Sequence, residues 1–274
     1  MPPPEKLYVY EIEGRVSPPA HLTGPEFLGC WREGAYTYLF FSTPREQEVR
    51  SWLTGEPKGR FLSVTDLNYS DWEAGQALKP TRVAGFYLCP IWEEPHPEPG
   101  DLTLRLEPGL AFGSGCHPTT RLCLTLLRQV FAEGAPKQVL DLGTGTGVLS
   151  LAALALGAQR VVAVEYNDLA VNTAARNIRH NAKSQEISLI HGDALDFAYI
   201  PADLALANIH LEVLLKLLEL PEFLNKKWYI FSGILGTQAE RFLSALSATS
   251  LKTVSVLDEN LWYTVLAVNL NFGG

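Results

Sequence analysis

The feature that most constrains this chain is a regular alternation of short apolar runs with amphipathic ones over residues 117–268. The apolar runs read as strands at Gln138–Leu142, Arg160–Glu165, Ile187–His191, Asp203–Asn208, Lys227–Ser232, Leu251–Leu257 and Trp262–Val268. Between them, helices are expected at Val148–Leu156, Asp168–Asn181, Leu211–Leu220 and Gly236–Leu246, with another ahead of the first strand at His117–Glu133. In that leading helix Leu122, Leu126 and Val130 recur beside Cys123, Leu127 and Phe131, which is helical spacing. Parallel strands need a crossover between neighbours, and a helix supplies it. The expected fold is therefore α/β, a mostly parallel seven-stranded sheet covered on both faces.

The chain upstream has a different texture. Leu7–Ile12, Ala35–Phe41 and Gly59–Thr65 are aromatic or β-branched and read as strands, with a short helix at Arg45–Leu53. Residues 1–68 are thus expected to form a small α+β domain. Residues 69–80 read as a linker with a helix capped by Ser70 or Asp71 and closed by Pro80, and 81–274 form the larger domain. Strand-like segments near Gly85–Ile91 and Leu102–Glu107 flank the turn-rich Glu93–Gly100.

Ligands in open α/β sheets lie beyond the C-terminal ends of the strands. There the first strand breaks into Gly143-Thr144-Gly145-Thr146-Gly147, preceded by Asp141, and the second ends at Glu165. Glycine allows a tight turn and close approach of a ligand, and a strand-end carboxylate can accept the hydroxyls of a ribose. A dinucleotide site carries its third glycine one position later, where Val148 stands. Asp141 would also oppose a pyrophosphate but tolerates a sulfonium with an ammonium group. These residues point to S-adenosylmethionine rather than a nicotinamide cofactor. Asp193, after the third strand, is placed to accept the adenine amine. Asn208 closes the strongly apolar fourth strand, either as a helix cap or as a functional amide. Glu107–Leu122 is a glycine-punctuated loop opening a helix, with Phe112 and Gly113 placed to fold over a ligand.

With Asp141–Gly147, Asn208 and Ser232-Gly233-Ile234-Leu235, this segment resembles the ribosomal protein L11 methyltransferase family over roughly residues 70 to 268. The resemblance implies a Rossmann-like class I methyltransferase domain and a small N-terminal domain that recognises substrate. It implies cofactor contacts at Thr120, Gly143, Glu165 and Asn208 and a site lined by Phe112 and its glycine neighbours; the loop reading adds Gly145 to the expected contacts. Asn208 is the expected catalytic residue, orienting an acceptor amine. The sequence departs from the family at Glu165, where Asp is common, at Cys116, and after Asn208, where it reads Ile209-His210-Leu211-Glu212. The expected acceptor is amino groups of a protein, ribosomal protein L11 first, with lysines of another protein and a small-molecule amine as alternatives. A non-catalytic cofactor-binding protein is the remaining alternative.

The formal net charge is −8, which disfavours an extended grip on duplex nucleic acid and suits a basic protein partner. The four cysteines, Cys30, Cys89, Cys116 and Cys123, have no zinc-ligand spacing, so no metal is expected. With no apolar run long enough to span a bilayer and no signal core at the N-terminus, a cytoplasmic protein without a membrane partner is expected.

Overall fold

A computed structural model describes residues 4–72, 79–107, 109–110 and 115–272, apart from the side chains of Ser70 and Trp72. The chain divides into two compact units, Met1–Ala77 with Asn167–Leu169, and Leu78–Tyr166 with Ala170–Gly274.

In the first unit, strands β1 (Lys6–Glu13), β2 (Phe27–Glu33), β3 (Tyr36–Phe41) and β4 (Arg60–Asn68) form an antiparallel sheet in the order β2-β3-β1-β4. Alternate residues of these strands, Tyr10, Ile12, Cys30, Leu39 and Phe41, share one face. They are buried with Val49 and Leu53 of helix α1 (Glu46–Thr54). β2 has no clean alternation and is not apparent from the sequence. The helix expected to start after Ser70 or Asp71 begins earlier, as the short α2 (Tyr69–Trp72). Ser70 and Asp71 therefore lie inside it rather than capping it, and the Asp71 carboxylate accepts from the Asn68 amide at 2.9 Å. The continuation expected over 73–78 lies outside the described residues.

The second unit opens with β5 (Thr81–Val83), β6 (Phe86–Pro90) and β7 (Leu102–Leu106), a small mixed sheet. After it come α3 (Pro118–Gly134), β8 (Gln138–Leu142), α4 (Val148–Ala155), β9 (Arg160–Glu165), α5 (Asp168–His180) and β10 (Ile187–His191). β11 (Leu204–Asn208), α6 (Leu211–Leu218), β12 (Trp228–Leu235), α7 (Gly236–Ser247), β13 (Leu251–Glu259) and β14 (Trp262–Asn269) complete it. The seven-stranded sheet has the order β10-β9-β8-β11-β12-β14-β13. β10 through β12 in that order are parallel, and β14 runs antiparallel to both of its neighbours, β12 and β13. This is the mostly parallel seven-stranded sheet expected from the alternation.

The strands are apolar on both sides, yet their residues still alternate. Val139, Val161, Ala163, Leu204 and Leu206 pack toward α3 and α4, while Leu140, Leu142, Val164, Ala205 and Ala207 pack toward α6 and α7. β12 runs three residues past its expected end at Ser232. Gly233, at φ +84°, accommodates a register shift against β14 between Phe231 and Ile234, after which pairing resumes.

Candidate active site

The glycine loop is held from both sides of the β8 terminus. Gly143 and Thr144 both donate their amides to the Val164 carbonyl, at 2.8 and 3.0 Å, which turns the chain sharply off the strand. Gly143, Gly145 and Gly147 take φ of +72°, +58° and +83°, a region that side-chain-bearing residues avoid. Beneath the loop Asp141 is buried, and its Oδ2 accepts the hydroxyls of Thr144 and Ser150, each at 2.6 Å. Burial pushes its carboxyl up to about 6, and the neighbouring Glu165 carboxylate adds to that against the two hydroxyls. Asp141 thus anchors the loop as well as supplying a charge behind it.

Glu165, at the end of β9, accepts the Gly145 amide at 2.9 Å through Oε2 and the Tyr166 amide at 3.0 Å through Oε1. Its carboxylate thus ties the end of β9 to the glycine loop. Asp193 is exposed after β10, and its Oδ1 accepts from the Leu195 amide at 2.9 Å, capping a short turn of helix. Phe112 and Gly113 lie outside the described residues.

On the opposite flank, α3 starts at His117, whose Nδ1 accepts the Thr119 amide at 3.4 Å while Pro118 occupies the first helical position. The first turn thereby presents two buried threonines. Thr119 Oγ1 receives the Asn208 Nδ2 amide at 3.3 Å. The cap of α6 is His210, so the helix-cap alternative for Asn208 does not hold. Asn208 Oδ1 and Thr120 Oγ1 are both buried, and neither has a hydrogen-bond partner among the described residues. Buried polar atoms in native structures are nearly always paired, so two such atoms, one at the end of β11 and one in the first turn of α3, make this a candidate ligand site.

Several residues that matter here were not apparent as site residues. Ile209 follows Asn208 and is squeezed between glycines. A Cβ on Gly143 would lie 2.2 Å from its Cγ2, and one on Gly233 2.4 Å from its carbonyl oxygen. Asn177 of α5 is fully buried, donating to Thr146 O at 2.9 Å and Glu107 O at 3.0 Å and accepting from Glu107 N at 2.7 Å. One amide thus joins the glycine loop to the start of the 107–122 segment. Asn181, four residues on, pairs with the Arg105 backbone in the same way. Two asparagines at that spacing on one helix face are the only sequence sign of this clamp.

The family model for ribosomal protein L11 methyltransferase (PrmA) matches residues 42–269. The chain belongs to the ribosomal protein L11 methyltransferase family. It is 33% identical over 217 residues to the ribosomal protein L11 methyltransferase of Exiguobacterium sibiricum, covering 75% of this chain and 66% of that relative. To the one from Bacillus pumilus it is 34% identical over 212 residues, covering 75% of this chain and 68% of that relative. The matched part therefore spans about two thirds of the length of these curated relatives (66% and 68%). A crystal structure of ribosomal protein L11 methylase from Lactobacillus delbrueckii subsp. bulgaricus is similar at a TM-score of 0.61 and 30% identity, over 70% of this chain and 96% of that one. The family resemblance and the methyltransferase fold expected from the sequence both hold. Among the described residues no helix is long and apolar enough to cross a membrane, and no group of three or more His, Cys, Asp or Glu side chains could hold a metal.

Proposed function

We propose that this family member is an S-adenosylmethionine-dependent methyltransferase acting on amino groups of a protein, with ribosomal protein L11 as the acceptor. The observation that carries this reading is the orphaned, buried Oδ1 of Asn208, held at the end of β11 beside the glycine loop. A buried carbonyl oxygen without a donor suits an incoming N–H.

The residues present fit the cofactor. Gly143, Gly145 and Gly147 give close backbone approach, and the Glu165 carboxylate at the end of β9 suits ribose hydroxyls. The unpartnered Thr120 hydroxyl and the buried Asp141 charge favour a ligand that is polar and cationic. Phe112 and Gly113 are assigned to covering the ligand and Asp193 to the adenine amine. When bound, S-adenosylmethionine supplies an electrophilic methyl group on its sulfonium. Asn208 Oδ1 accepts an N–H of the neutral acceptor amine and aims its lone pair. A free lysine has a pKa of about 10.4, so less than about one in a thousand is neutral at pH 7. Orienting that neutral fraction is the main task left to the protein. No side chain is assigned as a base, and the proton leaves to water.

The net charge of −8 favours a lysine-rich partner, with association weakening as salt rises. The N-terminal α+β part is assigned the docking role and the cytoplasm the location. Incubating the chain with isotope-labelled S-adenosylmethionine and ribosomal protein L11, followed by mass spectrometry, tests the reading. Methyl groups on L11 amines are expected, and deletion of residues 1–68 should sharply reduce them while cofactor affinity stays near that of the full chain. Label in a different protein, with none in L11, overturns the acceptor. Label in no protein or small amine of a lysate overturns the activity.

A further inference from the structure

The hydrogen bonds at the start of α3 determine which way the Asn208 amide faces. A backbone N–H can only donate, so the Thr119 amide at 3.4 Å makes His117 Nδ1 a lone-pair acceptor. The Thr119 hydroxyl lies 2.8 Å from that same nitrogen. Two acceptors cannot share a hydrogen bond, so the hydroxyl proton points at Nδ1. Thr119 Oγ1 then has only lone pairs left for its second neighbour, Asn208, 3.3 Å away. Asn208 must offer its NH2 side, and its carbonyl oxygen faces the other way, buried and unpartnered. The two ends of a side-chain amide are nearly alike in shape, so the bonding network rather than packing selects between them. Resting on the reading of Asn208 as the amine's acceptor, we propose that Thr119 is a positioning residue. Its hydroxyl, polarised by His117 Nδ1, locks the Asn208 amide with Oδ1 toward the acceptor nitrogen.

The surroundings support a neutral imidazole carrying its proton on Nε2. Burial lowers the pKa of His117, the Arg121 cation lowers it further, and only Glu259 opposes them. The imidazole is also fixed in place edge-on to Trp262, with ring centroids 5.0 Å apart. The nearby hydroxyl of Thr120 is no substitute, because it reaches neither residue and has no partner among the described residues.

The relay makes Thr119→Val and Thr119→Ser the informative pair in the full-length chain. The valine removes the hydroxyl at nearly constant shape and leaves the amide free to flip. With ribosomal protein L11 as probe, kcat should fall about 10- to 100-fold, while S-adenosylmethionine Kd and the KM for L11 change less than about twofold. The serine, which keeps the hydroxyl, should bring kcat back to within about threefold of the parent. On an Asn208→Ala background the valine should add nothing further, because both changes remove one unit. A readout independent of any substrate is the 15N spectrum of the His117 ring, in which Nδ1 should be unprotonated and Nε2 protonated. A proton on Nδ1 overturns the relay, as does Thr119→Val retaining kcat while Asn208→Ala loses it. Normal turnover in Asn208→Ala removes the underlying reading instead, and the proposal with it.

Discussion

Asp141→Asn should change how stability depends on pH, by an amount that follows from the buried carboxyl. Its pKa is raised from 3.8 to about 6, chiefly by desolvation. The folded state therefore binds this proton more tightly than the unfolded state. The stabilisation is fully present below about pH 3.8 and is lost as pH rises through about 6. A shift of roughly two units at 1.36 kcal/mol each makes the loss about 3 kcal/mol. Asparagine is uncharged throughout, and its Oδ1 can still accept the hydroxyls of Thr144 and Ser150. Other titrating groups cancel when the two proteins are compared. The stability difference should thus move by about 3 kcal/mol in favour of the variant between pH 3.5 and pH 7. Two compact units need not unfold together, so the appropriate assay is native-state hydrogen exchange of peptides from β8 and α4 across that range. A difference that stays flat with pH would refute the argument, because it would mean Asp141 titrates alike in both states. A charge kept at such a cost calls for a ligand that repays it. The same variant should weaken S-adenosylmethionine more than its neutral thioether product.

Glu165→Ala should cost about 1.5–3 kcal/mol of S-adenosylmethionine binding, measured by calorimetry, and unchanged affinity would remove Glu165 from the site. Gly145→Val forces a β-branched residue to φ +58° and should abolish cofactor binding while circular dichroism still shows a folded chain. Retained affinity would mean the loop does not hold the ligand. Gly233→Ala sets a Cβ 2.4 Å from the Ile209 carbonyl oxygen, so it should displace Asn208 and depress kcat on the acceptor more than cofactor affinity. Equal losses in both would place the disturbance in the cofactor loop instead.

The parallel half of the sheet was legible because its punctuation is sharp. Gln138–Leu142, Arg160–Glu165 and Ile187–His191 are bounded by polar or glycine residues and have the same limits in the structure as in the sequence reading. Phe27–Glu33 was not legible. Gly29 and the Arg32-Glu33 pair break its alternation, and a register shift between Phe27 and Gly29 hides the period. Thr81–Val83 is too short to show a period at all. At the candidate site, Glu165 and Asn208 stood out as polar residues ending apolar strands, and Asp141 as an acid just ahead of the glycine loop. The parts played by Thr119 and Asn177 depend on partners 89 and 70 residues away in sequence, which no local pattern encodes.

The two glycines at Ile209 explain how the Gly143–Gly147 loop and the Asn208 amide come to share one sheet end. Asn208 ends a central strand, where β8 lies on one side and β12 on the other. The next residue, Ile209, must leave the sheet between the two segments that extend past their own strand ends. Its amide still follows β12, donating to Ser232 O at 3.2 Å, so it cannot swing away from either neighbour. Gly143 on the β8 side and Gly233 on the β12 side make room by lacking a Cβ, and both take positive φ to carry their chains past it. The glycine at 143 therefore serves two demands: the sharp turn of the loop off β8 and passage of the segment carrying Asn208. With the backbone held in this way, the amide is set by rotation about its own χ1 and χ2, and the χ2 rotation exchanges its oxygen and nitrogen. The hydroxyl of Thr119 acts on that rotation.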